Sequence, residues 1–165
     1  MAAIEEALET GDEIMLRTIL APLQVVYDYI LIDTPPGKAR LTFNAMLAAD
    51  YIIIPCSAER MAVDGLNDLV KHIQQVVWHK YPQETAHQEI RVLFTMFKKN
   101  TSHSPGIVSR SKKLFRDNVL DVLIPETIEF PRSFDRRQPI NVMNPHHQAT
   151  DAYRQFATWI TNTIV

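Results

Sequence analysis

The sequence predicts an α/β protein with a three-layer, doubly wound, mostly parallel sheet. Short continuous apolar runs alternate with stretches in which apolar residues recur at helical spacing, and polar or proline residues follow each run. Such runs are typical of strands buried on both faces of a parallel sheet. Their alternation with helices indicates βαβ units, so we expect ligands to bind beyond the carboxyl ends of the strands.

The predicted elements follow one another in a simple order. Helical spacing from Ile4 to Val26 is interrupted at Gly11 and Asp12, which predicts two short helices or one broken helix. Strands are predicted at 29–32, 51–55, 92–96 and 119–124, and helices at 39–48, 61–80, 105–117 and 146–163. Because 165 residues with 46% hydrophobic composition suffice for one core, we predict a single domain over residues 1–165.

Composition excludes several classes of protein. The single cysteine, Cys56, allows neither a disulfide framework nor a cysteine metal site. The amino terminus is acidic and lacks the features of a signal peptide, and no apolar stretch approaches the roughly 20 residues that span a bilayer. We therefore predict a cytoplasmic protein with no membrane contact. Charge is uneven, since residues 91–137 carry a net +5 and the rest of the chain carries −7.

Asp33 is the first candidate for chemistry. It ends the predicted strand at 29–32, which is where P-loop NTPases place the aspartate that holds magnesium beside the nucleotide phosphates. Aspartate also ends strands simply because it turns the chain well, so both interpretations stay open. The adjoining Pro35, Pro36 and Gly37 form a stiff loop, which favours the first interpretation because such a loop could hold backbone groups near a γ-phosphate.

Several segments resemble a known family in order and spacing. They are YDYILIDTPPG at 27–37, LTFNAMLAADYIIIPCSAERMAVDGL at 41–66, VLFTM at 92–96, VLIPETI at 122–128 and ATDAYRQFA at 149–157. They are similar to the Walker B and downstream region of ParA/MinD-type (SIMIBI class P-loop) ATPases, and above all to Soj-like ParA partition proteins. The resemblance covers about 25–163 and implies the carboxyl-terminal two-thirds of a P-loop NTPase-like domain, truncated at the amino terminus.

The resemblance implies roles for particular residues. Asp33 would orient Mg²⁺ through water, and Thr34, Pro35, Pro36 and Gly37 would form the switch that senses the γ-phosphate of ATP. Thr95, Met96, Pro125, Glu126 and Thr127 would lie against the adenine, although strand-end packing explains Met96 and Pro125 equally well. Glu59 and Asp64 would lie in a polar segment that faces the partner of a homodimer.

The sequence also departs from the family. Its glycines are Gly11, Gly37, Gly65 and Gly106, and none lies in the KGGVGKT-like loop that binds the phosphates. Lys98 replaces the usual aspartate, and Glu126 and Thr127 replace Arg-Asn. We therefore expect no ATP turnover by this chain alone, and the departures put its binding of ATP in question.

The basic stretch predicts a second surface. ParA proteins bind double-stranded DNA without sequence specificity, and phosphate contacts need only positive charge at suitable density. The candidates are Lys98, Lys99, Arg110, Lys112, Lys113, Arg116, Arg132, Arg136 and Arg137. The alternative interpretation is that these residues form a solvent-exposed basic surface that binds no DNA.

The primary hypothesis is a ParA-like partition protein of plasmids or chromosomes, nucleoid-associated through DNA, with a centromere-binding ParB-like partner. The alternatives are a non-catalytic dimerisation and DNA-binding module that modulates a full-length relative, and a MinD-like cell-division regulator. The cobyrinic acid a,c-diamide synthase group has a similar fold but no support here from substrate-specific residues.

Overall fold

A three-stranded sheet and its flanking helices make up most of the described part of the chain. The structure is a computed structural model, and it describes residues 14–34, 40–101 and 103–164. The strands are β1 (Tyr51–Ser57), β2 (Glu89–Phe97) and β3 (Val119–Pro125). The helices are α1 (Met15–Leu20), α2 (Arg40–Ala48), α3 (Arg60–His72), α4 (His103–Phe115), α5 (Glu129–Asp135), α6 (Ile140–Met143) and α7 (Gln148–Thr163). Short 3-10 turns follow α1 at Ala21–Leu23 and α4 at Arg116–Asn118, and a π-helical segment, Ile73–Trp78, extends α3.

The sheet has the order β1-β2-β3, and its strands are parallel. β2 and β3 pair with Val92 opposite Val119 and Phe97 opposite Pro125. At the amino end of β1, the Glu89 N–H donates to the Asp50 carbonyl at 2.9 Å, and at its carboxyl end the Ala58 N–H donates to the Thr95 carbonyl at 3.3 Å. All three carboxyl ends therefore lie at one edge, and the predicted α/β fold with a parallel sheet is confirmed.

The described residues group into two compact units. The first draws on Met1–Ile52 and Leu69–Glu89, and the second on Ile53–Asp68 and Ile90–Val165. This grouping does not test the single-domain interpretation, which stays a prediction. No helix in the described ranges is long and apolar enough to cross a membrane.

The core of the second unit lies between β2, β3 and α7. Its buried centre is formed by Leu93, Leu120, Ile124 and Ala152, with Ile53, Val122, Phe130, Phe156 and Trp159 packed around them. Phe156 and Trp159 stack with ring centroids 6.2 Å apart. The apolar spacing of α7 therefore serves to cover β3, as the sequence predicts.

The first unit is held partly by buried polar contacts. Leu47, Ile73 and Val77 are fully buried. Beside them, the Gln88 side-chain amide donates to the Met46 carbonyl at 2.5 Å and to the Ala49 carbonyl at 2.7 Å. Its oxygen accepts from Trp78 Nε1 at 2.8 Å. Carbonyls at the end of a helix have no intrahelical partner, so Gln88 caps the carboxyl end of α2.

One predicted strand is wrong. Tyr29–Ile32 forms no strand, and no backbone hydrogen bond joins Asp28–Thr34 to another described residue. Tyr29, Leu31 and Asp33 are exposed, whereas Ile30 and Ile32 are half-buried, which is the alternation of an extended segment. The apolar pattern correctly indicates strand propensity, but a strand also needs a neighbour, and within the described ranges the sheet consists of β1, β2 and β3 alone.

The other predicted strands and helices are present, with shifted bounds. The helix predicted at 61–80 is interrupted by the π-helical segment. Helices α5 and α6 were not predicted, because seven and four residues are too few to show a helical period. The part of the predicted helical segment before Ile14 lies outside the described residues, as do Pro35, Pro36 and Gly37.

Candidate functional site

The carboxyl edge of β2 and β3 brings together the two segments expected to face adenine. The Glu126 N–H donates to the Phe97 carbonyl at 3.1 Å, which joins the ends of the two strands. Thr95 and Met96 therefore lie beside the turn that contains Pro125 and Thr127. These residues are about 30 positions apart in the sequence, and the parallel register makes them neighbours.

Met96 has an unusual backbone at this edge. Its φ angle is 51°, and its side chain is 62% exposed. The β2–β3 register shifts between Phe94 and Phe97, so Met96 lies in an irregularity of the strand. The left-handed conformation costs an L-residue about 1–2 kcal/mol. Irregularities of this kind redirect a side chain. Nothing in the sequence indicates the left-handed backbone, because the residue at position 96 is methionine and not glycine.

Two of the predicted adenine contacts already have partners. Lys98 Nζ lies 3.3 Å from Glu126 Oε2, with both side chains about half exposed. Such an exposed ion pair contributes only about 0–1 kcal/mol to stability. Thr127 Oγ1 accepts a hydrogen bond from the Glu129 N–H at 3.2 Å and so supports the start of α5. The Glu126 carboxylate and the Thr127 hydroxyl are therefore engaged within this edge.

Asp33 and Thr34 are both exposed at the end of the extended segment. The Asp33 carboxylate has no hydrogen bond or ion pair to a described residue. Within the described ranges no group of three metal-ligating side chains exists. Mg²⁺ keeps several waters and takes one or two carboxylates plus substrate phosphates. A single exposed carboxylate such as Asp33 is chemically compatible with that kind of site.

Glu59 and Asp64, the predicted dimer-facing residues, are exposed before and within α3.

The predicted DNA-binding cations divide into two groups. Lys98 pairs with Glu126, Lys112 with Asp121 at 2.5 Å, and Arg132 with Glu129 at 2.6 Å. The remaining six are exposed and have no acidic partner among the described residues: Lys99, Arg110, Lys113, Arg116, Arg136 and Arg137. The Lys98 and Lys112 pairs join residues of different elements, whereas Arg132 and Glu129 are an i,i+3 pair within α5.

An open cleft of about 510 Å³ lies beside α4 in the second unit. Phe97, Val108 and Leu123 contribute apolar surface to it, and Lys112 and Lys113 contribute charge. Of the residues predicted to bind nucleotide, none of those that the structure describes lines this cleft. No sequence pattern indicates it, because its lining comes from two strands and a helix.

The parallel sheet, its helices and the candidate site at its carboxyl edge define a P-loop NTPase-like α/β protein. Residues 1–92 match a family described as AAA domain (AAA_31). Since this match covers more than half of the chain, the chain belongs to that family, within the ParA/MinD-type ATPases, as its motifs predict.

Two relatives illustrate the family. The sporulation initiation inhibitor protein Soj of Bacillus subtilis is 31% identical over 156 residues, which cover 94% of this chain and 60% of Soj. The chromosome partitioning protein ParA of Myxococcus xanthus is 30% identical over 152 residues, which cover 92% of this chain and 53% of ParA. The chain thus spans little more than half the length of these relatives.

Solved structures agree with the fold. A variant of Cyanothece McdA in complex with ATP has a TM-score of 0.80 at 17% identity, covering 97% of this chain and 62% of McdA. A second similar structure is cobyrinic acid a,c-diamide synthase from Mycobacterium smegmatis with a bound ATP analogue and magnesium. Its TM-score is 0.75 at 25% identity, and the match covers 97% of this chain and 59% of the synthase. ATP and magnesium are therefore ligands within this group of structures.

Proposed function

We propose that this chain is a ParA-type partition protein that carries the adenine-facing part of a nucleotide site. The observation that carries the proposal is the 3.1 Å hydrogen bond between the Glu126 N–H and the Phe97 carbonyl, which brings both candidate adenine segments together. The relatives that bear ParA and Soj names support the biological role.

Asp33 is the proposed Mg²⁺ ligand, through water, and Thr34–Gly37 the proposed γ-phosphate switch. In this class of protein, ATP with Mg²⁺ supplies the phosphoryl group and the charge that stabilises its transfer. The residues of this chain would position the adenine base and orient the water bound to Mg²⁺. None of its four glycines lies in a phosphate-binding loop, so we propose that this chain alone does not turn over ATP.

Amide NMR tests the nucleotide site. Adding Mg–ATP should shift the signals of Thr95–Lys98 and of Glu126–Thr127, whereas Mg–tripolyphosphate, which lacks adenine, should leave them in place. If Mg–ATP moves none of these amides, or if tripolyphosphate moves them equally, the adenine assignment is wrong. Hydrolysis above background that Asp33→Ala abolishes would overturn the proposed lack of turnover.

A nonspecific DNA surface on α4 is the second part of the proposal. Arg110 and Lys113 are three residues apart on this helix, so their side chains share a face. Both are exposed and lack an acidic partner among the described residues. Unpaired cations can neutralise phosphates without first breaking an ion pair, which favours this face over the paired Lys112.

Salt titration of duplex binding tests this surface. The slope of log K against log salt is negative, and each lost phosphate contact reduces its magnitude by about 0.9. The double variant Arg110→Ala/Lys113→Ala should therefore make the slope less negative by about 2. Arg60→Ala/Lys71→Ala removes the same charge from exposed positions elsewhere and should keep the slope. Equal effects of the two variants would show that only bulk charge matters.

The alternative is a non-catalytic module that uses the DNA surface to modulate a full-length relative. The NMR result separates the two functions, because the module needs no adenine contact. A ParB-like partner and a nucleotide-dependent homodimer, with Glu59 and Asp64 at its interface, stay predictions from the family resemblance.

A further inference from the structure

The open cleft beside α4 has an apolar floor. Phe97 at the end of β2, Val108 on α4 and Leu123 on β3 line it, and these three residues are the apolar floor. Successive residues of a strand point to opposite faces, and Ile124, next to Leu123, packs in the core beneath α7. The cleft and α7 therefore lie on opposite faces of β3.

Helix α4 contributes two rows of side chains to the cleft. Pro105, Ser109 and Lys113 follow one another at i,i+4 spacing, and so do Val108 and Lys112. Rows at this spacing are the ridges of a helix surface, and a ridge of a second helix packs into the groove between two of them. The side chains that line the cleft therefore have the arrangement of a helix-packing surface.

The rim of the cleft is basic. Helix α4 contains no aspartate or glutamate, and its Lys112 and Lys113 both line the cleft. Lys112 Nζ lies 2.5 Å from Asp121 Oδ1 on β3, whose side chain is 95% exposed. An ion pair this exposed is weak, so an incoming carboxylate can replace Asp121 at little cost. A segment that carries carboxylates beside apolar side chains therefore complements the rim and the apolar floor together.

The shape and polarity of the cleft favour a helix over other ligands. A small molecule is typically held in a site that buries about 70–90% of its surface, which an open cleft does not provide. A DNA phosphate can use the lysines but gains nothing from the apolar floor. An amphipathic helix uses both, because it lays its apolar face into a groove and keeps its charged residues at the rim.

We propose that this cleft docks an acidic amphipathic helix of another protein, with apolar side chains on the apolar floor and carboxylates at Lys112 and Lys113. The contact goes beyond the proposed function, because it requires neither nucleotide nor DNA. Lys113 also belongs to the proposed DNA surface, so the docked helix and DNA would compete for this one side chain.

A designed peptide tests the proposal in the absence of nucleotide and DNA. The probe is a labelled synthetic helix with leucines at i, i+3, i+4 and i+7 and glutamates at the positions beside them. Fluorescence anisotropy measures its affinity, and amide NMR should show shifts at Phe97, Val108 and Leu123. A peptide of the same composition in scrambled order has no apolar face and should bind at least about tenfold more weakly, because its leucines stay in water. Equal binding of the two peptides, or no shift at the apolar floor, would overturn the proposal.

Charge exchange separates docking from misfolding. Lys113→Glu should weaken binding of the glutamate peptide at least about fivefold, and it should bind a peptide with lysines in place of the glutamates more tightly than wild type does. Arg110→Glu makes the same charge change on α4 but lies outside the cleft, so its effects should be much smaller.

Asp121→Asn tests the same contact in the opposite direction. It frees Lys112 and should strengthen binding of the glutamate peptide by up to about fivefold. Equal effects of Lys113→Glu and Arg110→Glu, no gain for the lysine peptide, or weaker binding by Asp121→Asn would each contradict the proposal. None of these outcomes depends on whether the chain binds adenine or DNA.

Discussion

Met96 shows how one residue can carry strain at a candidate site. Its φ of 51° is a conformation that glycine adopts without cost and other residues avoid. The neighbouring irregularity of β2 holds it there and directs an exposed apolar side chain outward at the carboxyl edge. Strain of this kind persists where surrounding structure imposes it, and it often accompanies binding sites.

Replacing Met96 with glycine should raise the free energy of unfolding by up to about 1 kcal/mol. Relief of the left-handed conformation outweighs the greater entropy that glycine gives the unfolded chain. Met61→Gly is the matched control, because Met61 is also highly exposed but lies in α3. There the same change should lower stability by about 1 kcal/mol. Urea unfolding measures both, and effects of equal sign would contradict the argument.

Two side chains from distant parts of the sequence donate hydrogen bonds to the backbone carbonyls at the carboxyl end of helix α2. Arg17 donates to the Leu47 carbonyl at 3.3 Å and to the Glu84 carbonyl at 2.5 Å, and Gln88 bonds to the Met46 and Ala49 carbonyls. A positive charge near a helix carboxyl end also complements the helix dipole. These contacts join α1, α2 and the turn before β2 within the first unit.

Gln88→Ala should lower the free energy of unfolding by about 2–3 kcal/mol. It leaves two helix-end carbonyls and the Trp78 indole N–H without this partner in a partly buried place, and each group left unsatisfied there costs about 1–3 kcal/mol. Gln83→Ala, at an exposed position of the same turn, should change stability by less than about 0.5 kcal/mol. Equal losses in chemical denaturation would show that Gln88 is not a structural cap.

Helix α3 shows how far an apolar period can predict an element. The predicted span of 61–80 agrees with Arg60–His72 and its π-helical continuation, Ile73–Trp78. The change of hydrogen-bond pattern inside that span was not predictable, because the apolar residues on either side keep a helical spacing. For Tyr29–Ile32, the local pattern indicated a strand, but its pairing depends on residues elsewhere.

For the whole molecule, burial of Cys56 in β1 makes stability depend on pH. Burial raises the pKa of the Cys56 thiol from 9.0 to about 11. The folded chain thus keeps the thiol protonated at pH values where the unfolded chain loses the proton. The stabilisation is fully present below pH 9.0 and is lost as pH rises to about 11.

The stability difference between wild type and Cys56→Ala should therefore shrink from pH 9.0 to about 11. A shift of this size corresponds to at most about 2–3 kcal/mol. Denaturant unfolding at several pH values measures the difference, and comparison with Cys56→Ala removes the contribution of tyrosines and lysines that titrate in the same range. A difference that does not vary with pH would mean that the folded thiol titrates normally.

The sequence by itself determined the fold class, the order of most elements and the family, because apolar periodicity and the motifs around Asp33, Met96 and Pro125 are local features of the chain. It also named the two segments that the family resemblance predicts to face adenine, and the parallel register places them side by side. Only the tertiary structure decided how Met96 is held, what caps α2 and that Tyr29–Ile32 pairs with no strand in the described part of the chain. Those properties arise from distances between residues far apart in the chain, and no local pattern encodes such distances.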